Sequence, residues 1–358
     1  MPRWLRRRDW LNKILCGDCL AILPQLPDEC IDIIATDSPY GIFIYNESWD
    51  KSVPSVQVWK ECFRVSKPGA FSFFMSSPRQ DVLAQMIVNL QTAGFIMRQT
   101  SLYWLYHNGF RKAYNISKAI DRRLGVKPDV IETKIQDGPK FRIAQEKVDN
   151  GGFNDPERTT YEITKPTSKL AKAYAGAYSN YSPKPALEVI LVAMKPKSEE
   201  TSIDQLLRNG KSVTWLSDCM IPCERHSRLA ANLVVSSGAL NGASRYYNLD
   251  AWWDELKLPE NVRKVLPFLD VPKPSRAERK LGLKQPVALR HPTQKPVKLF
   301  SYLLTLASRP GDVLLDPYVG VGTSAVAAKI LRRNYVGIDI NPEYCLSARM
   351  RLRALPKV

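Results

Sequence analysis

Apolar residues along the chain gather in short, often β-branched runs, each closed by a turn and followed by a stretch with helical spacing. Ile14-Leu15 leads into Gly17-Asp18, a short strand ending in a loop, and Cys19-Leu20-Ala21-Ile22-Leu23 continues as a helical turn halted near Pro24 and Pro27. The run Ile31-Asp32-Ile33-Ile34-Ala35-Thr36 predicts a buried strand closed by Asp37-Ser38-Pro39-Tyr40-Gly41. A third strand is predicted at Ala70–Met75, after the turn Lys67-Pro68-Gly69. The C-terminal part repeats this texture: a strand at Val313–Asp316, a glycine loop from Tyr318 to Gly322, a helix from Thr323 to Arg332 and a strand at Tyr335–Asp339. Strands alternating with helices predict an α/β fold with a doubly wound, mostly parallel sheet.

The middle of the chain reads differently. Residues from about Val126 to Ser182 are polar with little periodicity and predict loops, whereas Pro185–Ala193 predicts another core strand. From about 196 to 290 the texture changes again, with Tyr246-Tyr247, Trp252-Trp253, scattered prolines and basic residues, and this stretch predicts an inserted module. The expected organisation is therefore 13–195 as one half of the core, with 126–182 as a loop-rich insertion. Residues 196–290 form the module and 291–353 the other half of the core. The 358 residues are 44% hydrophobic and 24% charged, which excludes wholesale disorder. Charge changes the picture more. Fifty-two Lys and Arg against 35 Asp and Glu give +17, an excess that attracts a polyanion such as nucleic acid. No apolar run approaches the roughly 18 residues of a membrane span. The basic start Met1–Arg8 lacks a signal core, so a cytoplasmic chain with no membrane partner is expected. Seven irregularly spaced cysteines read as reduced thiols.

Candidate chemistry begins at Asp316-Pro317-Tyr318-Val319-Gly320-Val321-Gly322-Thr323. Glycines between a strand and a helix let backbone approach a ligand, and a helix N-terminus favours an anionic group. Asp339 ends the next strand, 17 residues beyond Gly322, where a carboxylate can accept hydrogen bonds from ribose hydroxyls. Ala325 breaks the full dinucleotide fingerprint, which counts against NAD and leaves other nucleoside cofactors. Cys219, Cys223 and His226 offer three soft ligands without a comparable fourth, so no metal is expected. Cys16 and Cys19 lie beside a predicted strand, where small residues pack.

Asp37-Ser38-Pro39-Tyr40, His291-Pro292-Thr293-Gln294-Lys295-Pro296 and Asp316–Thr323 occur in that order. Together they resemble the permuted (β-group) DNA amino-methyltransferases, over roughly residues 13–110 and 184–353. The middle stretch is similar to phage and prophage modification methylases through Asp218–Pro222, Asn232-Leu233 and Lys273–Arg279. The resemblance implies a Rossmann-like methyltransferase sheet, with residues near 196–290 as target-recognition module. It further implies S-adenosylmethionine as methyl donor, S-adenosylhomocysteine as product, no metal requirement, and double-stranded DNA as substrate. A second copy of the chain and a cognate restriction nuclease stay open as further partners.

Carried over position by position, Tyr318, Gly320 and Gly322 would cradle the methionine part of the cofactor, within the loop Asp316–Thr323. Asp339 would hold the ribose, Asp18 would lie near the adenine, His291, Thr293 and Lys295 would line the cofactor pocket from the segment before the loop, and Cys19 and Asp37 would also contact the cofactor. An exocyclic amino nitrogen has its lone pair delocalised into the ring, so two acceptors must draw it toward tetrahedral geometry. The Asp37 carboxylate and the Ser38 carbonyl would do this, with the base flipped out and stacked on Tyr40, and Pro39 would stiffen the loop. Aspartate at the first position accompanies adenine-N6 methylation in the family and serine accompanies cytosine-N4, so adenine is expected and cytosine-N4 is the alternative. Ser38 stands where proline is usual and Tyr318 also departs from the usual residue, which leaves a weak or inactive DNA-binding relative as a further alternative. Arg111 and Lys112 resemble a family segment near the flipped base and are candidate DNA contacts.

Overall fold

The computed structural model describes residues 5–42, 50–105, 114–136, 159–179, 187–220, 231–235, 247–248, 252–253, 256, 258–265 and 294–356. The chain divides into two compact units, one of Met1–His107 with Ala186–Val358, the other of Asn108–Pro185. The strands of the first unit are β1 (Lys13–Cys16), β2 (Ile33–Thr36), β3 (Phe71–Ser76) and β4 (Leu102–Leu105), then, after the four strands of the second unit (Tyr114–Asn115, Asp129–Gln136, Thr159–Lys165 and Tyr178–Ser179, β5 to β8), β9 (Leu187–Met194), β10 (Leu233–Val235), β11 (Tyr247–Asn248), β12 (Val313–Asp316) and β13 (Asn334–Asp339). They form one nine-stranded sheet in the order β1-β13-β12-β2-β3-β9-β4-β10-β11. Every pairing is parallel except those of β9, which runs antiparallel to β3 and β4.

All four residues of β2 and of β12 are buried, as befits central strands covered on both faces. Side chains alternate along each strand, so consecutive residues enter different cores. Ile33, Ala35, Phe73, Met75 and Leu314 pack with the helices Val297–Ala307, Thr323–Ile330 and Pro342–Ala354. Ile34, Phe74, Leu315, Val336 and Ile338 pack on the other face with Val56–Val65 and Gln80–Thr92. The helix Val297–Ala307 is apolar nearly all round and is buried at every position. The result is the doubly wound α/β sheet that the alternation of elements predicts.

Strand order determines where chemistry can occur. From β2 the chain winds through Val56–Val65 to β3, on one side; from β12 it winds through Thr323–Ile330 to β13, on the other. β2 and β12 pair directly, with Ile33 opposite Leu314 and Ile34 opposite Leu315. Their following segments diverge to opposite faces and leave a crevice beyond their carboxyl ends, the switch point where open α/β sheets bind ligands.

The second unit contains β5 (Tyr114–Asn115) paired with β8 (Tyr178–Ser179), and β6 (Asp129–Gln136) paired with β7 (Thr159–Lys165), both antiparallel. Asp121, buried on the helix Ile116–Arg123, accepts the amides of Thr167 at 2.8 Å and Ser168 at 3.0 Å, holding the start of the helix Lys169–Ala173. Much of the stretch read as loops is thus regular structure. In β6 the apolar neighbours Val130 and Ile131 are both exposed, so they do not write a one-sided period into the sequence. Residues 202–219 of the expected inserted module lie in the first unit: Trp215 N–H donates to the Leu306 carbonyl at 2.8 Å, and Lys211 Nζ bridges Asp32 and Asp312 at 2.9 Å each. Most of 196–290 lies outside the described residues.

Candidate active site

The loop after β2 is set by a buried anion. The Asp50 carboxylate accepts the amides of Tyr40 and Gly41 at 2.8 Å each and of Ile42 at 3.3 Å, turning the chain sharply as it leaves the strand. Gly41 adopts φ +67°, and a Cβ there would meet the Ser52–Val53 backbone at 2.9 Å. Only glycine suits that turn.

Four polar groups meet at this loop. The Lys295 ammonium donates to Asp37 Oδ2 at 2.6 Å and lies 3.3 Å from Glu188 Oε2. Tyr40 Oη lies 2.8 Å from Asp37 Oδ1 and 3.0 Å from Glu188 Oε2. The ammonium also sits 5.2 Å from the centre of the Tyr40 ring, within cation–π range. The side chains of Asp37, Glu188 and Lys295 retain only 18%, 15% and 6% of their exposure. Burial alone would lower the Lys295 pKa, but Asp37 and Glu188 outweigh it and hold the ammonium above the ordinary lysine range. Burial raises the Glu188 carboxyl, with Lys295 opposing and Asp37 reinforcing the shift. Burial likewise raises the Tyr40 phenol, and both carboxylates add to it.

The loop after β12 forms the facing wall. Asp316 is buried and accepts the hydroxyls of Thr36, at 2.7 Å, and Ser324, together with the Tyr318 amide at 3.0 Å. Burial pushes its carboxyl up to about 7, against the lowering effect of those donors. Gly322 has φ +87° and begins the helix Thr323–Ile330, and a Cβ there would lie 2.7 Å from Ala348 Cβ. Asp339, at the end of β13, accepts the Gly320 amide at 2.9 Å and the Asn341 amide at 2.8 Å. Burial raises its carboxyl too, with those amides opposing.

Between these walls lies a cavity of about 290 Å³. Asp18, Cys19, Asp37, Ser38, Pro39, Tyr40, Lys295, Asp316, Tyr318, Gly320, Thr323 and Asp339 all line it. Gly322 does not, and serves instead as the close-packed start of the helix. Asp18 caps the turn Cys19–Ile22 through the Leu20 amide at 2.9 Å, and Cys19 Sγ lies 3.7 Å from Tyr318 Oη. Lys295 reaches the cavity, but its ammonium sits on the Asp37–Glu188 pair. His291, Thr293, Arg111, Lys112, Cys223 and His226 lie outside the described residues. Among the described residues no cluster of His, Cys, Asp and Glu could hold a metal, and no helix is long and apolar enough to cross a membrane.

Sequence reasoning passed over Asp50, Glu188 and Gln294. Glu188 had a signal, a single acid within the apolar run of β9. Gln294 lines the cavity with both amide atoms buried and without a hydrogen-bond partner among the described residues. Asp50 left none, because its role lies in backbone amides ten residues away.

A family model described as DNA methylase, for the N6/N4 methylases, matches residues 31–350. The type II methyltransferase M2.DpnII of Streptococcus pneumoniae is 48% identical over 65 residues, 18% of this chain and 24% of its own length. The type II methyltransferase M.HpaI of Haemophilus parainfluenzae is 48% identical over 62 residues, 17% of this chain and 20% of its own. Each match therefore spans less than a quarter of the relative. Among solved structures, the M1.HpyAVI–SAM complex aligns over 95% of this chain and 98% of its own, at 16% identity and a TM-score of 0.45. The PvuII cytosine-N4-specific DNA methyltransferase aligns over 96% and 88%, at 11% identity and a TM-score of 0.47.

Proposed function

Because the chain belongs to the N6/N4 DNA methylase family, we propose that it is a DNA methyltransferase that uses S-adenosylmethionine to methylate an exocyclic base amino group. The target would be adenine N6 in a base flipped out of duplex DNA. The observation that carries this reading is the meeting, in one cavity at the sheet's switch point, of the Asp37–Tyr40 loop with the Asp316–Thr323 loop and Asp339.

The cavity suits a nucleoside with a charged amino-acid arm. Asp339, at the end of β13, would accept ribose hydroxyls, Gly320 brings bare backbone to the cavity wall, and Asp18 and Cys19 line the cavity beside them. Lone pairs left on the Asp339 oxygens beyond the two amides supply acceptors for such hydroxyls. Bound there, S-adenosylmethionine would supply an electrophilic methyl group on a sulfonium sulfur. The protein's part is to hold and polarise the amine. Asp37 Oδ2 accepts from Lys295, Oδ1 lies within hydrogen-bond distance of the Tyr40 hydroxyl, and each oxygen keeps a lone pair for an amino hydrogen. The Ser38 carbonyl serves as the second acceptor, so serine can replace proline there without losing the group that acts. Lys295 holds Asp37 in place through its hydrogen bond, and Tyr40, its hydroxyl fixed, offers its ring to the base.

Duplex DNA as partner agrees with the +17 charge. Arg111 and Lys112 as DNA contacts, His291 and Thr293 as cofactor contacts, and 196–290 as the recognition module belong to the same proposal. Transfer of labelled methyl groups from S-adenosylmethionine to methylation-free duplex DNA tests it, with the modified nucleoside identified by mass spectrometry. N6-methyladenine is expected, and Asp37→Ala should abolish its formation. N4-methylcytosine would overturn the adenine assignment alone, whereas activity surviving in Asp37→Ala would overturn the catalytic one.

A further inference from the structure

Glu188 is not part of the cavity wall, yet it touches both groups that hold Asp37. Its placement follows from strand direction. β9 is antiparallel to its neighbours, so it begins where the parallel strands end, and Val189 pairs with Ser76 at the carboxyl end of β3. The second residue of β9 is thereby carried to the edge where β2 delivers Asp37.

Donor accounting at Tyr40 makes the arrangement informative. Its hydroxyl lies within hydrogen-bond distance of Asp37 Oδ1 and of Glu188 Oε2, but a phenol has one proton to donate. Both contacts become hydrogen bonds only when one carboxyl carries a proton of its own and donates it to the phenol oxygen. The group is therefore built to accept one proton: the hydroxyl is within hydrogen-bond distance of both carboxyl groups, and Lys295 bridges the same two groups. Glu188 is the better holder, since burial and the neighbouring Asp37 both raise its carboxyl. Its residual 15% exposure gives the proton a way out.

We infer that Glu188 takes up the proton that the target amine must lose, delivered through Asp37 and the Tyr40 hydroxyl, in the reaction proposed above. Methyl transfer forms a C–N bond and breaks the donor's C–S bond, leaving that electron pair on sulfur and an extra proton on nitrogen. The proton passes to Asp37; Asp37 gives a proton to the Tyr40 oxygen as the Tyr40 proton moves to Glu188. Tyr40 ends neutral, Asp37 ends ionised again, and Glu188 ends as the carboxylic acid. Glu188 thus acts through its neighbours, as a positioning residue that also accepts the proton.

The test is the pH profile of single-turnover methylation in the wild type, Glu188→Gln, Tyr40→Phe and the double variant, with S-adenosylhomocysteine affinity measured by calorimetry. Glu188→Gln should slow methylation by on the order of 10²-fold and leave product affinity unchanged. Its acid limb should differ from that of the wild type, because the Glu188 carboxyl no longer titrates in the site. Combining Tyr40→Phe with Glu188→Gln should cost little more than the worse single change, since both break the same path. A Glu188→Gln enzyme with the wild-type rate and acid limb would overturn the inference, as would a loss confined to binding. Titration of the Glu188 carboxyl by ¹³C NMR needs no turnover: it should titrate above the ordinary glutamate range and move in Tyr40→Phe. Titration in the ordinary range would overturn the inference, whereas a wild type without methyl transfer would overturn the proposed function.

Discussion

Replacing Lys295 by methionine isolates the electrostatics of the site. Methionine keeps most of the aliphatic stem and removes the ammonium that bridges Asp37 and Glu188. With 6% exposure on the lysine side chain and ion-pair distances of 2.6 and 3.3 Å, the group is a buried bridge. Removing one partner of such a bridge costs about 3–5 kcal/mol, because the remaining charges are left uncompensated. The sign of the pH dependence follows from which groups titrate. In the wild type the Lys295 pKa lies above its ordinary value, so its contribution is fully present below the ordinary lysine pKa and is lost only at still higher pH. In the variant the cation that opposed the upward shift of Glu188 is gone, and that carboxyl rises further. A carboxyl raised on folding favours the folded state at low pH and loses that advantage as pH rises through its folded value. Each unit of added shift is worth about 1.4 kcal/mol. Urea unfolding followed by tryptophan fluorescence at pH 5 and pH 8 should show the larger deficit at pH 8, with part of it recovered at pH 5. A deficit below about 1 kcal/mol at pH 8, or one equal at both pH values, would refute the reasoning.

Two further substitutions probe the loops on either side of the cavity. Ser38 Oγ is buried and has no hydrogen-bond partner among the described residues, so Ser38→Pro should keep or raise methyl transfer, and a rise in melting temperature is expected from removing an unsatisfied hydroxyl, worth about 1 kcal/mol or more. Collapse of activity in that variant would mean that the serine hydroxyl, rather than the backbone carbonyl, does the work. Asp316→Asn addresses the carboxyl held near 7: the wild type should lose stability as pH rises from about 4 through that value, and the variant should lose much less of it, as read from melting temperature against pH. Parallel curves for the two proteins would contradict the assignment.

The loop after β2 shows how one local signal acquired its meaning. Asp37-Ser38-Pro39-Tyr40 is, by itself, a strand exit. It becomes a site because Asp50 folds it back, because β12 lies alongside β2, and because Lys295 arrives from the far end of the chain. Lys295, expected to line a cofactor pocket, lines the cavity between the two loops. Its charge is engaged by two carboxylates, Asp37 and Glu188.

The sequence alone determined the elements whose residues interact locally. Strands β2, β3, β12 and β13 are runs of apolar residues closed by turns, and the loop Asp316–Thr323 is written in its glycines. The α/β class follows from their alternation. Tertiary structure decided the pairing of β1 with β13 and of β12 with β2, the reversed direction of β9, and the meeting of Asp37 with Glu188 and Lys295. It also decided that residues 129–136 and 159–165 pair as strands, where the exposed Val130 and Ile131 mark no period. The reason is common to all of these. Propensity and periodicity record which face of a segment avoids water, over a span of a few residues. Backbone hydrogen bonds between strands carry no residue identity, and a buried ion pair between positions 258 apart leaves no local trace except a charged residue among apolar neighbours.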